Sequence, residues 1–119
     1  MSTSNKILTE HNAKVVVLDF INALNAEDFE LARQQLQDDM TFKGVMGERN
    51  GADVYIEDMK KMKFKYDVKK VFADLDEVCL WYDINIGAKT IFSCGWYKLV
   101  DEKIQSFQVL FDPRPILGD

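Results

Sequence analysis

The chain has 119 residues, 47% of them hydrophobic and 29% charged, which fits one globular domain able to bury a core without staples. A net charge of −5 and a pI near 4.9 argue against a nucleic-acid partner, because phosphate-backbone affinity rests largely on Lys and Arg. Cys79 and Cys94 are the two cysteines, too few and too far apart for a zinc site, and no metal or cofactor is expected. The first twelve residues lack an apolar signal core and no stretch approaches membrane length, so a cytoplasmic protein with no membrane partner is expected.

Residues 1–119 read as a single domain, with 1–8 and 113–119 as flexible or peripheral ends. A first helix is predicted over about Glu10–Leu24. Val16, Val17, Phe20, Ile21 and Leu24 face inward; Lys14, Asp19 and Asn22 face outward. Asn25-Ala26-Glu27-Asp28 supplies a stop and a new acidic start. A second helix follows over about Asp28–Gln37, burying Phe29, Ala32 and Leu36. A short strand over Met40–Val45 leads into a turn at Gly47–Gly51. A third helix is predicted over Ala52–Met62, with Tyr55, Met59 and Met62 on one stripe, Asn50 as its cap and Asp53 in its first turn.

Four longer strands are predicted at 64–74, 77–86, 89–100 and 103–111. The first alternates until Lys69-Lys70 interrupts it, which predicts a bulge. In the second, Val78, Leu80, Tyr82, Ile84 and Ile86 share one face. Gly87-Ala88 reads as a two-residue hairpin loop. Helices followed by an antiparallel sheet give an α+β architecture.

That loop pairs Ile86 with Lys89, so residues whose numbers sum to 175 lie opposite each other. One face then holds Val78, Leu80, Tyr82 and Ile84 with Ile91, Ser93, Gly95 and Tyr97. The other holds Cys79, Trp81 and Asp83 with Phe92, Cys94 and Trp96. A register slip of two residues changes partners but preserves the faces. Both faces are apolar, so both need a cover.

The run from Asp19 to Phe42 resembles the opening of the nuclear transport factor 2-like superfamily, which includes ketosteroid isomerases and SnoaL-like polyketide cyclases. An aromatic residue, Phe20, leads the segment Ile21-Asn22-Ala23-Leu24-Asn25-Ala26. Asp38-Asp39-Met40-Thr41, Glu102-Lys103-Ile104 and Phe111-Asp112-Pro113 follow in the family's order. The resemblance implies three helices packed on a strongly curved sheet, a cone-shaped, cystatin-like or SnoaL-like fold. It further implies that the helix-covered face lines a pocket and that the opposite face makes a homodimer. Phe20, Phe42, Gly44, Tyr55, Met59, Leu80, Tyr82, Ile84, Ser93, Gly95, Tyr97, Phe107 and Val109 would then line the pocket. Cys79, Trp81, Phe92, Cys94 and Trp96 would form the dimer face. The alternative is that Pro113–Asp119 covers part of that face.

Ketosteroid isomerases use an Asp base, with a Tyr and a protonated Asp as donors to the oxyanion. The matching positions here carry Gly44, Phe20, and Gly95 or Trp96. Where cyclase-like members place an inward His and Asp, this chain has Phe107 and Val109. The resemblance thus implies the fold without the usual catalytic groups, and no catalytic residue is assigned. The expected pocket is apolar with hydroxyl handles, suited to a small hydrophobic or aromatic ligand; the alternative is that these side chains fill the cone completely. The competing reading is an isomerase, dehydratase or cyclase-type enzyme using Tyr97, Tyr82 or a pocket-directed Asp83, although the face assignment turns Asp83 outward. His11 reads as solvent-facing. The six lysines between Lys60 and Lys70 read as a solvated rim, or as a contact for an anionic partner.

Overall fold

A computed structural model describes residues 3–117. Four helices and six strands follow in the order α1 (Thr3–Asn25), α2 (Phe29–Gln34), β1 (Leu36–Gly44), β2 (Gly47–Asn50), α3 (Ala52–Met62), β3 (Lys65–Asp74), β4 (Glu77–Ile86), β5 (Lys89–Val100), β6 (Lys103–Phe111) and α4 (Arg114–Leu117). The strands form one sheet in the order β2-β1-β6-β5-β4-β3. It is curved and does not close. Every neighbouring pair is antiparallel except β1 and β6, which run parallel. That pair departs from the wholly antiparallel sheet expected: β1 is separated from β6 by most of the chain, so no hairpin fixes its direction.

The inward face of α1 is Ala13, Val17, Phe20, Ile21, Ala23 and Leu24, a stripe at helical spacing that meets the sheet. The helix begins at Thr3 rather than near Glu10. Residues 5–9 are exposed, so hydrophobic periodicity does not mark this stretch. Asp28 caps α2 by accepting from the Leu31 amide at 3.1 Å. This helix ends at Gln34, three residues short of the expected end. Leu36 already belongs to β1, where it pairs with Ile104 of β6. The expected turn after β1 is a hairpin, with β2 pairing Thr41 to Asn50 and Gly44 to Gly47.

Asn50 therefore sits in a strand and does not cap α3. Gly51 fills that position with φ of 101° and no side-chain bond, a conformation that disfavours any Cβ. The buried stripe of α3 is Ala52, Tyr55, Ile56 and Met59, while Met62 is 51% exposed. The helix ends at Met62, and Lys63 caps it with a left-handed backbone whose N–H donates to the Met59 carbonyl.

The β4–β5 hairpin has the anticipated register: Ile86 faces Lys89, Tyr82 faces Ser93 and Leu80 faces Gly95. Val78, Leu80, Tyr82, Ile84, Ile91, Ser93 and Tyr97 are buried, whereas Trp81, Phe92 and Trp96 are exposed. The bulge in β3 falls between Val68 and Lys70. It reverses the parity of the strand, so Tyr66 and Val68 face the helices before it, Val71 and Ala73 after it, and Phe72 is sent outward. No described helix is long and apolar enough to cross a membrane.

Candidate functional site

The concave side of the sheet and the helices enclose a cavity of about 50 Å³. Fourteen side chains line it. Phe20, Ile21 and Leu24 come from α1, Tyr55 and Met59 from α3, and Phe64 and Tyr66 from the start of β3. Tyr82, Ile84, Tyr97, Phe107, Val109 and Phe111 come from β4 to β6, and Phe42 from β1. Phe42, Phe64, Tyr66, Val109 and Phe111 are half-buried and form the apolar mouth. All four tyrosines of the chain line this one cavity.

Phe107 fills the middle. Its ring centroid lies 5.8 Å from Phe20, 5.0 Å from Phe42, 5.2 Å from Tyr55 and 4.9 Å from Tyr97, the last pair stacked at 16°. Tyr66 meets Tyr82 edge-on at 5.3 Å. These separations fall in the favoured range for aromatic pairs. The cone is accordingly packed with rings, and the space left is well below the 300–1,000 Å³ or so of ordinary ligand pockets.

Gly95 shows how the polar groups are arranged. A side-chain carbon at this position would lie 2.8 Å from Tyr97 Cε1, 2.9 Å from Tyr82 Oη and 3.0 Å from Tyr97 Oη. Two phenol oxygens thus converge above the one residue of β5 that leaves room for them. Burial raises the ionisation of Tyr55, Tyr66, Tyr82 and Tyr97 above the ordinary phenol value. All four stay protonated at neutral pH, as phenols ordinarily do. The Tyr66 hydroxyl donates to Met59 Sδ at 3.8 Å.

Nine of the residues expected at the pocket ring this cavity: Phe20, Phe42, Tyr55, Met59, Tyr82, Ile84, Tyr97, Phe107 and Val109. Leu80, Ser93 and Gly95 are buried on the same face but do not border it, and the Ser93 hydroxyl is taken up by the Ile91 carbonyl at 3.1 Å. Gly44, at the end of β1, does not border the cavity, although a Cβ there would lie 3.0 Å from the Phe42 ring of its wall. Ile21, Leu24, Phe64, Tyr66 and Phe111 join the wall. The signal for Tyr66 was the alternation of Phe64, Tyr66 and Val68 before the bulge, which puts its ring on the helix side. Asp83 is on the outer face, where Lys69 approaches it to 3.7 Å, so it does not enter the cone. Among the described residues, the cavity wall carries no carboxylate, imidazole or amine.

Across the sheet, Trp81 stacks on Phe92 at 5.4 Å. The Trp96 indole N–H donates to Glu77 at 2.8 Å, and the Lys98 ammonium lies 4.5 Å from the Trp96 ring. Phe92 is 61% exposed and Leu110 69%, with α4 already in place. Cys79 and Cys94 are half-buried free thiols on this same face.

A family model described as a SnoaL-like domain matches residues 17–107. An NTF2-like protein of unknown function from Cytophaga hutchinsonii is 48% identical, with a TM-score of 0.87 over 89% of this chain and 95% of that one. An LEH-like epoxide hydrolase from M. tuberculosis is 24% identical, with a TM-score of 0.76 over 87% and 84% of the two chains. A de novo designed protein with a curved β-sheet is 17% identical, with a TM-score of 0.78 over 96% and 90%. The last two likenesses concern the fold alone. The search of curated proteins gave no match.

Proposed function

The chain belongs to the SnoaL-like domain family, and from that premise we propose that its cone binds a small apolar or aromatic molecule without the usual isomerase chemistry. The carrying observation is the cavity wall: fourteen side chains whose only oxygen atoms are four phenol hydroxyls, whose ionisation burial pushes still further above neutral pH. Such a wall rewards an aromatic ring and offers donors to one acceptor atom. A steroid does not fit a free volume of about 50 Å³. A single-ring compound enters only if Phe42, Phe64 or Phe111 swings at the mouth. The protein acts in this reading as a homodimer joined through Trp81, Phe92, Trp96 and the cysteine-bearing face, in a cytoplasmic setting that a two-cysteine chain suits.

The second reading is an isomerase, dehydratase or cyclase in which Tyr97 or Tyr82 serves as acid. Their convergence over Gly95 favours it, since paired donors can polarise a carbonyl. It also needs a base, and the substrate itself would have to bring one.

Native mass spectrometry of gently purified protein tests the binding reading, followed by titration with p-cresol under NMR observation. The expected result is a retained small mass, or saturable shifts of cone-facing methyl signals. No retained mass and no shift at millimolar p-cresol would mean that the cone is simply a core. Turnover of a simple ketosteroid by the wild-type protein would instead favour the enzyme.

A further inference from the structure

The outer face of the sheet carries a chemical pair that the cone does not use. Cys79 on β4 and Cys94 on β5 are free thiols with Sγ atoms 3.6 Å apart. In the ladder Cys79 lies opposite Trp96 and Cys94 opposite Trp81, so the cysteines are diagonal neighbours across one antiparallel pair. A disulfide needs its sulfurs about 2.05 Å apart. Diagonal neighbours on an antiparallel pair lie about 7–8 Å apart, at the edge of what a disulfide spans, so closing the gap takes a small shift of the two strands as well as side-chain rotation, without a change of register. The chain contains no other cysteine, so within one molecule only this pairing exists.

We propose that Cys79 and Cys94 form a reversible dithiol–disulfide site, oxidised within one chain by a small-molecule disulfide. One thiolate, that of Cys79 for example, attacks one sulfur of that disulfide, whose S–S bond breaks and releases the first small thiolate. Cys94 thiolate then attacks Cys79 Sγ, forms the Cys79–Cys94 bond and expels the second. The two protein protons end on the two released thiolates. Two protein thiols are thereby oxidised and one small disulfide is reduced.

The two thiols are both half-buried, so either can attack first. Burial, reinforced by the hydrogen bond with Cys79, pushes the Cys94 thiol up to about 11. Whichever cysteine attacks first, the other resolves the mixed disulfide. Trp81 and Trp96 flank the pair, so its oxidation state should register in the indole fluorescence.

The test is incubation with glutathione disulfide, acid quenching and intact mass measurement without reductant. It is run on the wild type and on Phe92→Lys, which frees the face should two copies cover it. The expected product is a monomer lighter by two hydrogen atoms, with altered tryptophan fluorescence, both restored by dithiothreitol. Cys79→Ser and Cys94→Ser should lose this product, and peptide mapping of the wild-type disulfide reads the pairing without relying on either variant. A persistent glutathione adduct, a chain-to-chain disulfide or no reaction in both backgrounds would overturn the proposal.

Discussion

Gly95 occupies a strand interior, where glycine ordinarily weakens pairing. Here the absence of a side chain leaves space for the Tyr82 and Tyr97 hydroxyls, which would lie within 3.0 Å of any Cβ. Gly95→Ala should therefore destabilise the protein by about 1–3 kcal/mol through overpacking, read as a lower urea midpoint. Phe107 is the complementary case, a large side chain at the centre of four other rings. Phe107→Ala should cost about 3–5 kcal/mol, while opening a cavity that takes up benzene or indole. Calorimetry of the variant, with and without ligand, measures both effects. An unchanged melting temperature would show that Phe107 is not the plug.

At the level of elements, the joint between α1 and β3 decides where Tyr66 stands. Asn25 at the end of α1 donates to the Tyr66 carbonyl at 2.8 Å and accepts from the Tyr66 amide at 2.7 Å. Its side chain acts as a short extra strand along the free edge of β3. Lys65 adds a bond to the Asn25 carbonyl at 3.0 Å and an ion pair with Glu27 at 2.8 Å; the ion pair is exposed and contributes little. Asn25→Ala removes both amide bonds from a half-buried joint and should cost about 1–3 kcal/mol. Hydrogen exchange should show the loss concentrated at Tyr66 and its β4 partner Ile84, whereas Glu27→Ala should leave that region protected. The bulge at Lys69 completes the joint by turning Val71 inward after Val68, so β3 follows the curve of the sheet.

For the whole molecule, the four phenols give a pH dependence. Burial raises their ionisation in the folded state above the value of the unfolded chain. Their contribution is then intact below pH of about 10, and is lost above it because only the unfolded chain ionises freely. Stability should fall by up to about 1.4 kcal/mol per pH unit for each tyrosine. Tyrosinate absorbance should appear together with unfolding, in one cooperative step. Ionisation ahead of unfolding would show that the cone admits water. The outer face makes the second molecular prediction. Light scattering at micromolar concentration should give twice the chain mass for the wild type and a monomer for Phe92→Lys. A monomeric wild type would sink the dimer.

The alternation of Val78 to Ile86, the Gly87-Ala88 loop and the Lys69-Lys70 interruption were enough to place the faces, register and bulge of the sheet. Each is a local consequence of residue size, polarity and backbone freedom. The parallel pairing of β1 with β6, the hairpin before α3 and the clamp from Asn25 to Tyr66 depend on residues remote in the chain, where periodicity carries no signal. The cone shows the same division. Sequence supplied its apolar character and its hydroxyls, because residue type and strand parity determine which side chains point inward. Only tertiary structure decided that Phe107 occupies the centre and that two phenols share the space above Gly95, because free volume is a property of the assembled walls.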